Sequence, residues 1–128
     1  FGEEMITRGS LLVNLRGRLS ERWVWLISTV MFSALHVPNV YFGLPPEAMP
    51  VQLLLTFMMG SGFYAMRRMS GTLLLPMVLH GLWDSSLFLT ISTGATPSLV
   101  QFAVYPVAIV CVIAVLRRPP QQIPIPSR

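Results

Sequence analysis

Four long stretches of the sequence consist almost entirely of apolar residues, and they constrain the fold more than any other feature. Two of them, residues 72–91 and 98–116, reach the roughly 20 residues that an α-helix needs to cross a bilayer core. The stretches 23–35 and 51–66 are shorter, but their flanks extend each of them by a turn. Helices are favoured because an open sheet would leave edge groups unpaired in lipid. With an amphipathic opening segment, residues 1–17, the sequence predicts an all-α, polytopic transmembrane bundle of five helices.

The composition agrees with an integral membrane protein. Charged residues make up only 11% of the chain, whereas a soluble globular domain has roughly 25%. The single cysteine, Cys111, excludes a disulfide framework. All nine basic residues are arginines, but they lie between the apolar stretches and form no single patch. We therefore expect membrane lipid as a partner and no binding to nucleic acid.

The positions of the arginines indicate a topology. Basic residues lie between predicted helices 1 and 2, between helices 3 and 4, and after helix 5, whereas the loops 37–50 and 92–97 contain none. Because Arg and Lys accumulate in cytoplasmic loops, the arginine-bearing side is predicted to be cytoplasmic. The residues on that side are Arg16, Arg18, Arg22, Arg67, Arg68, Arg117 and Arg118.

A few ionisable residues interrupt the apolar helices themselves. An Arg, Lys or Asp at the centre of a membrane helix costs at least about 2.5 kcal/mol, so each needs a partner, an aqueous cavity or a function. Six such groups in five helices indicate a functional site. They are Glu3, Glu4, Arg8, His36, His80 and Asp84.

The helical rise predicts that these residues meet. At 1.5 Å per residue, Glu3, His36 and Asp84 each lie roughly 20 Å from the arginine-bearing side of the membrane, although they belong to three different helices. His80 precedes Asp84 by four residues, which places it one turn away on the same helix face. The spacing therefore predicts two carboxylates and two imidazoles in one membrane-embedded pocket.

Spacing also separates the roles of the charged groups. Glu4 and Arg8 are four residues apart with the acid first, the better order for an ion pair, so we expect a structural bridge. Glu3 has only Thr7 at that spacing. Thr7 can orient a carboxylate but cannot neutralise it, which leaves Glu3 as a candidate general base.

The two histidines have neighbours of their own. Phe32 lies one turn before His36 and can pack against its ring. Asp84 can accept a hydrogen bond from a ring N–H of His80 and so select its tautomer.

These residues carry a resemblance to a known family. The patterns Glu3-Glu4-x-x-x-Arg8, Phe32-x-x-x-His36 and His80-x-x-x-Asp84, in this order on successive helices, resemble the three motifs of the CPBP (Abi) family of intramembrane proteases. That family includes the type II CAAX prenyl endopeptidases. The resemblance covers about residues 1–118 and implies a membrane-embedded catalytic domain, with further helices preceding it and peptide-bond hydrolysis as its activity. It also implies a protein or peptide substrate, and we expect a prokaryotic plasma membrane as the location.

The resemblance further implies roles for individual residues. In the family, the first glutamate and the histidine of the second motif activate water, which corresponds to Glu3 and His36 here. The histidine of the third motif and its partner form an oxyanion site, which corresponds to His80 and Asp84. The prenyl endopeptidases have Asn where this chain has Asp84, and a carboxylate donates to an oxyanion only when protonated. We therefore expect Asp84 to orient His80.

Two other functions use the same polar pocket. Glu3, His36, His80 and Asp84 are also a possible ligand set for zinc or another divalent metal, which would activate the water instead. The metal-free mechanism is favoured because the sequence contains no H-E-x-x-H pair. A non-catalytic membrane protein, such as a peptide-toxin immunity factor or a subunit of a proton-relay transporter, is the third hypothesis. Beyond the domain, residues 119–128 are expected to form a proline-rich polar tail.

Overall fold

The structure is a computed structural model and describes residues 1–119. Those residues contain five helical segments, no strand, and short 3₁₀ turns between the second and third segments. The prediction of an all-α bundle of five helices is therefore confirmed. The segments are α1 (residues 2–16), α2 (Glu21–Ala34), α3 (Met49–Ser70), α4 (Leu74–Thr93) and α5 (Leu99–Leu116). The predicted tail falls almost entirely on residues 120–128, which lie outside the described residues.

The first segment is not a regular α-helix throughout. It begins as α-helix at Gly2–Glu4, widens to a π-helix over Met5–Leu11, and returns to α-helix at Leu12–Arg16. The N–H of Leu12 accordingly points back to the carbonyl of Thr7. Stretches of π-helix are rare and occur frequently at functional sites. The sequence predicts a helix here but not this wider turn.

The predicted loop over residues 37–50 is partly helical. Val37–Phe42 and Pro46–Ala48 form 3₁₀ turns, and α3 already begins at Met49. Prolines open these turns because a proline in the first turn of a helix loses no intrahelical hydrogen bond. Gly43 ends the first turn with a φ of 102°, a conformation that glycine adopts without steric cost. The loop prediction was therefore wrong in its extent, although the chain does reverse here.

The last helix is capped by Ser98, whose side chain accepts from the N–H of Gln101 while the Gln101 side chain accepts from the N–H of Ser98. This reciprocal capping box satisfies two backbone donors that the first turn leaves unpaired. The fourth helix begins at Leu74, two residues after the expected Thr72.

α3 lies at the centre of the bundle and packs against α2, α4 and α5. Small residues allow these close approaches, as the sequence predicts. A Cβ at Gly62 would lie 2.9 Å from the Cβ of Ala108 on α5, and one at Gly60 would lie 2.8 Å from Cδ1 of Phe32 on α2. α4 is held more loosely, since few of its side chains are buried.

Four helical stretches are long and apolar enough to cross a membrane. They comprise Glu21–Phe42, Pro46–Ser70, Leu74–Thr93 and Leu99–Leu116. Their outward faces expose many large apolar side chains, which is the arrangement expected of helices in contact with lipid. The protein is therefore an integral membrane protein.

Candidate active site

The residues predicted to meet are brought together by α1, the end of α2, and α4. Glu3, His36, His80 and Asp84 all line one cavity of about 710 Å³. The cavity opens between the 3₁₀ turns and the bundle, at the end of the molecule away from the arginine-bearing turns. Its wall is mostly apolar, and its remaining polar side chains are Asn39, Gln52 and Thr56.

Glu3 lies at the junction of the two imidazoles. Its Oε2 atom is 3.9 Å from Nε2 of His36 and 3.7 Å from Nε2 of His80. The oxygen is shielded from solvent and has no hydrogen-bond partner among residues 1–119, although the Glu3 side chain as a whole is 38% exposed. These distances exceed that of a direct hydrogen bond.

His36 presents its Nε2 atom to Glu3 because the other ring nitrogen is occupied. Nδ1 lies 3.1 Å from the backbone carbonyl oxygen of Phe32, and a carbonyl accepts a hydrogen bond only from a protonated nitrogen. This contact selects the tautomer with the proton on Nδ1 and a lone pair on Nε2. The Phe32 ring also packs against the His36 ring at a centroid distance of 5.2 Å, as the spacing predicts.

His80 is surrounded by carboxylates and aromatic rings. Its Nδ1 atom lies 3.3 Å from Oε1 of Glu4, and its Nε2 atom lies 3.4 Å from Oδ2 of Asp84. The Phe63 ring stacks on the imidazole at 4.8 Å, and the Phe32 ring meets it edge-on. His80 is therefore buried and restricted on every side except the one that faces Glu3 and Asp84.

The contact between Glu4 and His80 was not predicted from the sequence. The sequence assigns its orientation to Asp84 alone, but the Asp84 side chain is 64% exposed, whereas Glu4 is completely buried. A buried carboxylate restrains a neighbouring ring more strongly than an exposed one, because water does not compete with it. Glu4 therefore contacts Arg8 in the predicted ion pair and also lies beside His80 of the candidate site.

Arg8 is fully buried and connects three helices. Its Nη1 atom donates to Oε1 of Glu4 at 3.0 Å and to the Thr7 hydroxyl at 2.8 Å, and Nη2 donates to the backbone carbonyl of Gly60 at 2.6 Å. Its guanidinium carbon lies 4.1 Å from the centroid of the Phe32 ring, a cation–π contact. The predicted Glu4–Arg8 ion pair is present.

Thr7 does not do what its spacing predicts. Its hydroxyl donates to the backbone carbonyl of Glu3 at 2.7 Å and accepts from Arg8, so it does not contact the Glu3 carboxylate. The π-helical turn accounts for the difference, because it alters the angle between side chains four residues apart. The Glu3 carboxylate is consequently directed to the two imidazoles alone.

Sequence reasoning missed several groups of this site. The carbonyl of Gly60 anchors Arg8, but a backbone acceptor has no residue-type signature. Phe63 follows Gly60 by one turn of α3, and an aromatic at that spacing from a close-packed glycine is a usable signal. Trp83 also lines the cavity and packs edge-on against Tyr105 at a centroid distance of 5.5 Å.

The alternative hypothesis for this site is a metal ion bound by Glu3, His36, His80 and Asp84. Within the described part of the chain, no group of three or more His, Cys, Asp or Glu side chains has an arrangement that would hold a metal ion. Oε2 of Glu3 lies 3.9 Å from Nε2 of His36, and the Asp84 side chain is 64% exposed. The involvement of a metal stays a prediction for experiment.

Comparison with known proteins gives one match. A family model described as type II CAAX prenyl endopeptidase Rce1-like matches residues 1–86. The matched segment includes Glu3, Glu4, His36, His80 and Asp84, and it extends from α1 through most of α4. No curated protein and no solved structure matches the chain.

Proposed function

Because the chain belongs to the type II CAAX prenyl endopeptidase Rce1-like family, we propose that it is an intramembrane endopeptidase that uses Glu3 and His36 to activate water. Its substrate is a peptide bond of a membrane-associated protein or peptide. The observation that carries this proposal is the position of the Glu3 carboxylate, 3.9 Å and 3.7 Å from the Nε2 atoms of two imidazoles.

The proposed reaction begins with a water molecule between Glu3 and His36. Nε2 of His36 accepts a hydrogen bond from this water, since its proton lies on Nδ1. The Glu3 carboxylate removes a proton as the water oxygen attacks the carbonyl carbon of the substrate. The same proton then passes to the amine that leaves, so that hydrolysis yields one carboxylic acid and one amine.

His80 is proposed to stabilise the oxyanion that forms during attack. A protonated Nε2 is required for donation to the oxyanion, and this nitrogen lies on the cavity side of the ring, 3.4 Å from Oδ2 of Asp84. The stacked ring of Phe63 holds the donor in place. A pre-positioned donor of this kind contributes about 3 kcal/mol to lowering a barrier.

The shape of the cavity is consistent with a peptide substrate. Apolar side chains from α3 and the 3₁₀ turns form one wall, and Leu44, Val51 and Leu55 are among them. Gln52 contributes a side-chain oxygen that is buried and has no hydrogen-bond partner among residues 1–119. An extended peptide supplies both the apolar side chains and the N–H donors that such a wall can bind.

A peptide-cleavage assay on the purified protein tests this proposal. Glu3→Gln and His36→Ala are each expected to lower kcat/KM by at least about 100-fold, because general-base catalysis contributes that much. Glu47→Gln is the matched control, since Glu47 is an exposed acid on the turn before α3. Activity above about a tenth of the wild-type value in either site variant would remove that residue from the mechanism.

Two further arms of the assay separate the other hypotheses. Loss of activity with a chelator, restored by added zinc, would replace the glutamate mechanism with a metal-dependent one. A wild-type protein that binds peptides without cleaving them would instead indicate the non-catalytic immunity function. Substrates with and without a prenylated cysteine show whether the lipid group is recognised.

A further inference from the structure

Three arginines form a cluster at the end of the bundle opposite the catalytic cavity. Arg16 is the last residue of α1, and Arg67 and Arg68 lie in the last turn of α3. Arg16 and the Tyr64 hydroxyl share the Glu21 carboxylate, and Arg67 and Arg68 lie one turn after Tyr64 on α3, so the three arginines lie close together. We refer to Arg16, Arg67 and Arg68 as the arginine cluster.

Contacts within the protein hold two of these side chains in place. Nε of Arg16 donates to Oε1 of Glu21 at 2.8 Å, and the Tyr64 hydroxyl donates to the other oxygen of the same carboxylate. Arg68 is only 3% exposed, and its Nη2 atom donates to the backbone carbonyls of Arg118 and Pro119 at 3.0 Å and 3.1 Å. Arg16 and Arg68 therefore each use only part of their N–H donors within the protein.

One further N–H group of each arginine has no acceptor among residues 1–119. Nη2 of Arg16, Nε of Arg67 and Nη1 of Arg68 are all shielded from solvent, and none has a hydrogen-bond partner among residues 1–119. A buried charged donor without an acceptor is costly to the folded state. Three such donors in one cluster indicate an acceptor that does not belong to the described chain.

Charge and shape restrict what this acceptor is. Among residues 1–119, the Glu21 carboxylate is the acid in contact with the cluster, through Arg16. Guanidinium groups bind phosphate through paired N–H donors, and more than one of them can bind the two non-ester oxygens of a phosphodiester. A phosphate group is therefore the acceptor that best matches the charge and the donors of the cluster.

The position of the cluster indicates where the phosphate comes from. The cluster lies at the ends of apolar helices, the level at which lipid headgroups meet a membrane protein. Exposed apolar side chains, including Leu19, Met69 and Leu74, surround the same end of the bundle and offer a surface for acyl chains. We propose that the arginine cluster binds the phosphate of an anionic phospholipid headgroup.

Lipid binding to the purified full chain tests the proposal without reference to catalysis. Phosphatidylglycerol and phosphatidylcholine are added to the protein in a non-ionic detergent, and bound lipid is counted by native mass spectrometry. Phosphatidylglycerol is expected to bind about tenfold more tightly, because a zwitterionic headgroup carries its own cation. Inorganic phosphate is the third probe, and it is expected to compete only weakly because it lacks acyl chains.

Matched variants assign the binding to the cluster. Arg67→Gln removes one unpaired donor but leaves the Arg16–Glu21 and Arg68–carbonyl contacts intact, and it is expected to weaken phosphatidylglycerol binding about tenfold. Arg22→Gln makes the same change at an exposed arginine on the same face and is expected to alter binding by less than twofold.

Three results would overturn the proposal. They are equal binding of the two lipids, equal effects of Arg67→Gln and Arg22→Gln, and displacement of the lipid by millimolar inorganic phosphate. If Arg67→Gln does not fold, the comparison of the three probes on the wild-type protein still decides between lipid and soluble phosphate.

Discussion

Asp84 is the candidate site residue with the most exposed side chain, and its role is open to a direct test. Its Oδ2 atom lies 3.4 Å from Nε2 of His80, on the side of the ring opposite to Glu4. Asp84→Asn keeps an oxygen at this position and adds a donor, so activity is expected to stay within about tenfold of the wild-type value. Asp84→Leu is expected to lose more, because it removes the carboxylate nearest to Nε2 of His80.

The same pair of variants distinguishes orientation from metal binding. An amide is a much poorer ligand than a carboxylate, so a metal site would lose its ion on Asp84→Asn. Elemental analysis of each variant, alongside kcat/KM, provides the measurement. A stoichiometric metal that disappears together with activity would contradict the glutamate mechanism.

The buried pair Glu4–Arg8 links stability to the site. Glu4→Gln leaves Arg8 as a buried charge without its counter-ion, and the expected cost is about 3–5 kcal/mol of unfolding free energy. The double change Glu4→Gln with Arg8→Met removes that charge and is expected to recover part of the loss. Recovery is partial because the carbonyl of Gly60 then lacks its donor. Thermal unfolding in detergent measures both effects.

Catalytic assays on these variants add a second readout. Glu4 also lies 3.3 Å from Nδ1 of His80, so the double variant is expected to stay well below wild-type activity even where stability returns. Glu47→Gln serves as the exposed control. A double variant no more stable than Glu4→Gln alone would show that the ion pair does not account for the cost.

At the scale of single residues, the sequence predicts the chemistry of the site better than its contacts. Glu3, His36 and His80 are conspicuous because ionisable side chains are costly within apolar helices, and the helical rise gives their common depth. The contact between Glu4 and His80 depends on how α1 is rotated towards α4. Spacing along one helix contains no information about that rotation.

At the scale of elements, the apolar stretches predict that the helices exist but not where they end. Helix ends are determined by local hydrogen bonds, such as the Ser98–Gln101 capping box, and the motif Ser-x-x-Gln was a readable signal for this start. The π-helical stretch Met5–Leu11 had no such signal. Within this stretch, Thr7 donates to the carbonyl of Glu3 on α1, and Arg8 donates to the carbonyl of Gly60 on α3.

Close packing of α2 on α3 at Gly60 predicts a sharp effect of one methyl group. A Cβ at this position would lie 2.8 Å from Cδ1 of Phe32 and 2.9 Å from Nη2 of Arg8, both within buried side chains. Gly60→Ala is therefore expected to destabilise the protein by about 1–3 kcal/mol, the usual cost of overpacking. It is also expected to lower activity, because Phe32 contacts the His36 and His80 imidazoles of the candidate site.

Gly17 offers the matched control for this change. No atom lies within 4 Å of a Cβ built there, so Gly17→Ala is expected to leave the unfolding midpoint unchanged or slightly raised. The comparison of the two midpoints in the same detergent is the measurement. Equal midpoints would show that α2 and α3 separate readily at Gly60.

At the scale of the whole molecule, α3 connects the two ends of the bundle. Near its middle, Gly60 and Phe63 contact groups of the candidate site, and in its last turn Arg67 and Arg68 belong to the arginine cluster. This separation follows from the depth argument, since the ionisable residues were placed roughly 20 Å from the arginines. The packing order of the helices around α3 did not follow from the sequence, because each helix exposes apolar residues on several faces.

The orientation of this bundle in the membrane is the last prediction, and it follows from the same separation of charge. The arginine-bearing turns are predicted to face the cytoplasm, which places the cavity and the end of α4 towards the opposite side. Ser92 is exposed near the end of α4, so Ser92→Cys provides a reporter in a Cys111→Ser background that removes the native thiol. A membrane-impermeant maleimide is expected to label this cysteine in intact cells. Labelling that occurs only after lysis would reverse the orientation and open the cavity to the cytoplasm instead.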